Sequence, residues 1–318
     1  MRVRHAVPLL AVAALVLTGC VDNSKAGTAD PPAGSTAGSS AGSLAGSSAG
    51  SSDGSSDGEQ KKDDAAAALL PAKVAKAGKL IIGTSPNYAP NEYKDDAGNP
   101  VGWAIEMGDA VARRLGLTAE YQVARFENII PGIVGGKIDI GESSFTDTVV
   151  REKQVDFVNY YVAGIQWASA TGKDVDPGNA CGLKVAVQAT TYQDTDEVPT
   201  KSKACVAAGK PAIQKVPLDT QDAAANAVAL GQADAFSADS PVTLYAIAQL
   251  KGKLQLAGKT FDAAPYGLAV AKNSGMAQAV QAALQSMVDD GSYNKILDKW
   301  GVADGGLKKI TINAAAKG

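Results

Sequence analysis

Between Lys79 and Leu250 short apolar runs alternate with stretches of helical periodicity, and this alternation narrows the possible folds more than any other feature of the chain. Lys79-Leu80-Ile81-Ile82-Gly83-Thr84 is an apolar run closed by glycine, as a strand buried on both faces would be. Ile105 to Leu115 follows near-helical spacing and stops at Gly116. A strand (120–124), a helix (126–134) and a strand (137–140) come next. After Gly182 the pattern resumes with strands at 183–187, 212–216 and 233–236. Helices are expected over part of 192–208, over 220–230 and over 240–250. Such alternation predicts an α/β fold with mainly parallel sheets covered by helices on both faces. A final helix is marked by Met276, Val280, Ala283, Leu284, Met287 and Val288, opened by Ser274 and stopped near Gly291. Its methionines read as core filler and Trp300 as a packing anchor.

The first 68 residues have a different character. Arg2 and Arg4 precede an apolar run from Ala6 to Leu17, well short of the roughly 20 residues that span a bilayer. The run therefore reads as the apolar region of a signal peptide, residues 1–19. Leu17-Thr18-Gly19-Cys20 looks like the lipobox of a bacterial lipoprotein, which implies cleavage before Cys20 and acylation of its thiol. The alternative is an ordinary signal peptide with an incidental cysteine. From Val21 onward glycine recurs every fourth position (Gly34, Gly38, Gly42, Gly46, Gly50, Gly54, Gly58) with alanine and serine between. Small residues in that pattern cannot bury a core, so residues 20–68 read as a flexible, lipid-anchored tether. A flexible chain of some 45 residues spans roughly 35–40 Å, enough to let a tethered body meet a partner in the same membrane.

Composition excludes several functions. The 318 residues carry a net charge of −3, which does not suit a nucleic-acid surface. The single histidine, His5, lies in the segment expected to be removed. A mature chain without imidazole cannot run Ser-His-Asp or Cys-His chemistry, nor bind zinc through histidine. No metal constellation or phosphate loop is present, so no cofactor is expected. Asp95-Asp96-Ala97-Gly98-Asn99 reads as a hairpin loop. With Cys20 acylated, Cys181 and Cys205 remain. An even pair in an exported chain reads as a disulfide, and the close spacing of a redox pair is absent.

Collinear segments then point to a family. Phe126-Glu127-Asn128-Ile129-Ile130-Pro131 is followed by Gly136-Lys137-Ile138-Asp139-Ile140. Ser143-Ser144-Phe145-Thr146-Asp147-Thr148, Arg151 and Val155-Asp156-Phe157 complete the series. Together they resemble the amino-acid-binding lipoproteins of ABC importers, the bacterial extracellular solute-binding proteins of family 3, from about Leu80 to Trp300. The resemblance implies a two-lobed type II periplasmic-binding-protein fold with two hinge crossings and a ligand cleft that closes by hinge rotation. Lobe one would comprise 69–168 and a return over 263–318 with the C-terminal helices; lobe two would be 169–262.

The resemblance also assigns roles. Arg151 would grip the ligand α-carboxylate, for which a planar guanidinium fork is suited and lysine is not. Backbone N–H groups at Thr146 and Thr191 would complete that site, and either threonine would also serve as a helix cap. Asp239 would accept from the α-ammonium, or simply cap the helix that begins before Pro241. Ser144, with Ser143 beside it, would be a second acceptor. Tyr88 and Phe126 would flank the ligand side chain. Ser85 stands where binders of cationic amino acids carry an acid, which favours an uncharged polar or acidic ligand. Glu142 would pull the other way if it faced the cleft. The implied function is capture of a free amino acid and delivery to an ABC permease by a monomer, lipid-anchored on the extracellular face of the cell membrane. Rival readings are a sensing lipoprotein without transport, and a dehydratase-like enzyme on the same fold with Glu142 as its acid.

Overall fold

The structure, a computed structural model, describes residues 61–315. The expected signal peptide, Cys20 and the tether up to residue 60 lie outside the described residues. Two short helices, α1 (Asp64–Ala67) and α2 (Ala72–Ala77), lead into strand β1 (Lys79–Thr84). The tether expectation ran to Ala68, and α1 corrects it. Asp63 accepts from the N–H groups of Ala65 and Ala66 at 3.0 Å each and starts the helix, and Ala66 is buried in a hydrophobic core.

There follow β2 (Asn87–Tyr88), β3 (Glu92–Lys94), β4 (Pro100–Val101), α3 (Trp103–Arg114), β5 (Thr118–Val123), α4 (Phe126–Val134) and β6 (Ile140–Gly141). A long strand β7 (Val155–Ala170) leads to β8 (Lys184–Gln188), α5 (Val198–Ala207), β9 (Gln214–Leu218), α6 (Gln221–Ala229), β10 (Ala235–Asp239) and α7 (Ser240–Gln249). A second long strand, β11 (Leu254–Ala271), is followed by α8 (Met276–Asp289), α9 (Ser292–Trp300) and β12 (Gly306–Ile312).

One nine-stranded sheet runs in the order β5-β1-β6-β11-β7-β10-β8-β9, with β12 also on β7. The β1–β5, β1–β6, β8–β9 and β8–β10 pairs are parallel, as the alternation predicts. β7 and β11 are antiparallel and tie the two parallel groups together. Residues 155–163 of β7 pair with 264–271 of β11, while residues 165–170 pair with 254–261 and with β10. The β7–β11 register shifts between Ala257 and Phe261 and again between Phe261 and Ala264, so the change of partners coincides with irregular backbone.

The first lobe, around β1, β5 and β6, is built on Leu80, Ile82, Trp103, Met107, Leu284 and Met287, all fully buried. A second face of the same group packs Ile129, Ile133, Phe145 and Phe157. The second lobe, around β8, β9 and β10, has its own cores at Phe236, Val228 and Ala224 and at Trp167, Val185 and Val187. Each buried Leu, Ile, Val or Met contributes about 1.5–3 kcal/mol, which is why the period-2 and period-3.6 patterns set the layers. Cys181 and Cys205 form a disulfide that pins α5 to the loop before β8, with Cα atoms 5.5 Å apart. Among the described residues no helix is long and apolar enough to cross a membrane.

Candidate functional site

The parallel strands β1, β6, β8 and β10 all deliver their carboxyl ends to one cavity. Open α/β sheets bind ligands there, because the strand ends and helix N-termini leave backbone donors and loop side chains unpaired by the sheet. Ser85 follows β1, Ser143 and Ser144 follow β6, Gln188 closes β8 and Asp239 closes β10. Both lobes line the cavity. Every residue expected at the site lines it: Ser85, Tyr88, Phe126, Ser143, Ser144, Thr146, Arg151, Thr191 and Asp239.

Arg151 lies against two aromatic faces, its guanidinium carbon 5.5 Å from the Phe126 ring centre and 5.7 Å from that of Phe145. The two rings are stacked, with centroids 4.5 Å apart. This platform holds the guanidinium plane in place by cation–π attraction. Nη1 donates to the Thr146 carbonyl at 2.7 Å and Nη2 to the Thr190 carbonyl at 3.1 Å, so the side chain joins the first lobe to the second. Burial, opposed by Asp196, Asp239 and Asp147, brings the Arg151 pKa down to about 10, so it stays a cation at neutral pH.

Asp239 accepts from three separate elements. Tyr88 Oη on β2 donates to Oδ2 at 2.8 Å, Tyr266 Oη on β11 to the same oxygen at 2.6 Å, and Gln193 Nε2 to Oδ1 at 2.7 Å. Gln193 begins a π-helical turn (193–197), a distortion frequent at functional sites. Burial pushes the Asp239 carboxyl above its ordinary value, against the pull of these donors and of Arg151. Thr146 forms an isolated bridge with Tyr266, closed through Phe145 O and Asp147 N, so its own N–H stays outside the ladder. Thr191 sits at the start of the helical turn and fixes its hydroxyl on Gln188 O at 2.8 Å.

Glu92 is the residue that sequence reasoning missed. It is buried in the cavity wall and accepts from Ser144 Oγ at 2.8 Å and from Ser143 Oγ at 3.3 Å. Desolvation first, then the neighbouring carboxyls Glu142 and Asp239, push its pKa well above the ordinary value. Ser144 therefore turns its hydroxyl to Glu92, a partner the resemblance did not name. Gln188, Tyr192 and Gln193 also line the cavity and were missed. The Oε1 of Gln188 is buried without a donor among the described residues, while its Nε2 donates to Asn87 Oδ1 at 3.0 Å across the lobes. The rule that would have found Gln188 is its place at the carboxyl end of a predicted parallel strand.

Glu142 does not line the cavity. It points behind the wall, where Tyr160 Oη donates to Oε1 at 2.6 Å and Oε2 has no partner among the described residues. Burial lifts its pKa to about 8, so at neutral pH it is mainly a carboxylic acid of the core.

A hinged α/β pair of lobes with a polar cavity at the strand ends, carrying one fixed cation and two buried carboxyls, is the architecture of a solute receptor. Residues 80–303 match the family described as bacterial extracellular solute-binding proteins, family 3, and the chain belongs to that family. It is 40% identical to the arginine-binding protein ArgT of Corynebacterium glutamicum over 248 residues, 77% of this chain and 82% of that protein. It is 28% identical to the ABC transporter glutamine-binding protein GlnH of Bacillus subtilis, over 76% of this chain and 86% of that one. Among solved structures, an ancestral arginine-binding protein bound to arginine aligns with a TM-score of 0.64 at 32% identity, covering 70% of this chain and 98% of the other. The family and these relatives are binding proteins, and this chain is a binding protein rather than an enzyme.

Proposed function

We propose that the chain captures an α-amino acid with a cationic side chain, arginine foremost, and delivers it to the membrane permease of an ABC importer. The observation that carries this reading is Glu92, a buried carboxyl in the cavity wall with two hydroxyl donors and no ion-pair partner among the described residues. Three charged side chains then match a ligand with three charges. Arg151 takes the α-carboxylate with the N–H groups of Thr146 and Thr191, Asp239 takes the α-ammonium, and Glu92 takes the side-chain cation. The unpaired Gln188 Oε1 offers the cation a second acceptor. Tyr88 and Phe126 flank the aliphatic stem, whose burial contributes about 25 cal/mol per Å² before binding costs.

The Ser85 argument for an uncharged or acidic ligand is thereby set aside, because β3 supplies the acid that the end of β1 lacks. The names of the Corynebacterium relative and of the ancestral structure support the same ligand class. A neutral amide side chain is the second reading. The burial that favours the protonated form of Glu92 would let it donate to a ligand carbonyl, and GlnH is named for glutamine.

The lobe boundary at 262/263 fits the exchange of sheet partners on β11 between Phe261 and Ala264, while on β7 the exchange falls at 163–165, a few residues before the boundary at 168/169. Signal peptide 1–19, acylation at Cys20, a tether beyond it, a monomeric state and a place on the outer face of the cell membrane complete the proposal. Titration calorimetry of the purified protein against arginine, lysine, glutamine and glutamate tests it. Tightest binding of arginine or lysine is expected. Tightest binding of glutamate, or heat from none of them, would overturn it.

A further inference from the structure

We propose that Asn91 and Trp103, neither of which lines the cavity, position Glu92 for the ligand's cationic group through a one-way chain of hydrogen bonds. The inference rests on the cationic reading of the site and assigns its specificity to residues behind the wall.

The chain starts at a group that can only donate. Trp103 is fully buried, and its indole Nε1 donates to Asn91 Oδ1 at 2.8 Å. That bond fixes the orientation of the amide, so Asn91 Nδ2 donates to Ser144 Oγ at 2.9 Å. The Ser144 hydroxyl has one hydrogen, and with its oxygen already accepting it turns that hydrogen to Glu92 Oε2 at 2.8 Å. A shorter branch does the same for the other oxygen. The Ser85 N–H donates to Ser143 Oγ at 3.1 Å, and Ser143 Oγ reaches Glu92 Oε1 at 3.3 Å. Both carboxyl oxygens are thus approached by donors whose direction is set elsewhere. With each oxygen accepting from a fixed hydroxyl, the ionised carboxylate is favoured, and its remaining lone pairs are acceptors for a ligand cation. The arrangement favours a charged guanidinium or ammonium over a neutral group of the same shape.

The backbone holds the relay in register. Asn91 N donates to Tyr88 O, and Asn91 O accepts from Ala104 N, each at 3.0 Å. Trp103 is the first residue of α3, and Gly102 before it has φ +129°, where a Cβ would overlap the Asn91 carbonyl. The close approach that brings the indole to Asn91 therefore requires glycine at 102.

Arginine and its neutral isostere citrulline, titrated into the wild type and the double variant Asn91→Leu/Trp103→Phe, form the test. Replacing both partners leaves no stranded donor. Arginine affinity should fall about 10-fold, the range expected for loss of a hydrogen bond to a charged group, with citrulline changed much less. Ser144→Gly, which tolerates the positive φ of +49° at that position and removes the Cβ with its hydroxyl, should shrink the arginine-to-citrulline ratio in the same way and decides the matter if the double variant does not fold. Parallel losses for both ligands, or an unchanged ratio, would overturn the relay. Wild-type protein that binds citrulline as tightly as arginine would instead refute the cationic reading itself.

Discussion

Tyr88 and Asp239 stand 151 residues apart in the chain and on opposite lobes, yet the Tyr88 hydroxyl donates to Asp239 Oδ2 at 2.8 Å and accepts from the Asp239 N–H at 3.1 Å. Hinge rotation that opened the cleft would part this contact. Tyr88→Phe should therefore accelerate ligand dissociation about 10-fold, the value of a lost hydrogen bond to a charged group, with association little changed. Stopped-flow tryptophan fluorescence separates the two rates. An unchanged off-rate would show that the bond contributes nothing to closure.

Arg151→Ala should reduce affinity by about 30-fold or more, because truncating one side of a buried charge pair costs about 2–5 kcal/mol. The same change frees the Thr146 and Thr190 carbonyls that the guanidinium satisfies, so the melting temperature should drop as well. Arg151→Lys should restore charge without the planar fork and recover only part of the affinity. Calorimetry together with a thermal melt checks both arms.

Affinity for arginine should rise with pH from the acid side. Glu92 must be ionised to meet a cation, and desolvation with Glu142 and Asp239 nearby raises its pKa in the folded protein, while the Ser143 and Ser144 hydroxyls oppose the rise. Binding therefore releases a proton, and titrations in buffers of different ionisation heat should show the release. Above about 10 the trend should reverse as Arg151 loses its charge. A flat profile on the acid side would remove Glu92 from the ligand site.

Glu142 predicts a separate effect on stability. Its pKa is raised from 4.5 to about 8 by burial, so the folded state holds a proton that the unfolded state gives up. The stabilising contribution is present below about 4.5 and is lost as pH rises toward about 8. Glu142→Gln, which imitates the neutral acid, should flatten that part of the melting-temperature profile while arginine affinity stays close to wild type. A slope identical to wild type would mean that Glu142 is ionised in the core.

Cys205→Ser opens a loop whose ends are 24 residues apart. The chain-entropy relation puts the loss at about 3.5 kcal/mol, or several degrees in the melting temperature. Neither cysteine lines the cavity, so affinity should hold. An unchanged melt under oxidising conditions would show that the bridge does not stabilise the fold.

Elements with strong periodicity were legible in the sequence, and those defined by distant pairing were not. Lys79–Thr84 and Phe126–Val134 fall where their patterns put them, and α8 follows its apolar stripe. The strand expected at 137–140 survives only as Ile140–Gly141, since Ile138 turns its side chain against Gly83 and Gly132 to seal α4 on the sheet. β7 and β11 left no clear signal. Their second halves serve a different lobe from their first, so the burial pattern changes along each strand. At the site, Arg151 and Asp239 stood out through motifs, whereas Glu92 did not. Asn91-Glu92-Tyr93-Lys94-Asp95-Asp96 reads as a polar loop, and a three-residue strand is too short to show alternation. Asp95, by contrast, behaves as its sequence suggests, turning the hairpin by accepting from Ala97 N and Asn99 N.

The pairing of β7 with β11 also fixes the order in which the chain can be completed as it emerges. The sheet partners of residues 165–170 are all in hand by residue 261, whereas the first half of β7 and β6 wait for 264–271, and the core around Leu80 waits for α8. The lobe that begins first along the polypeptide is the one that must finish last, and until then its apolar strands depend on something other than the native fold to keep them from one another.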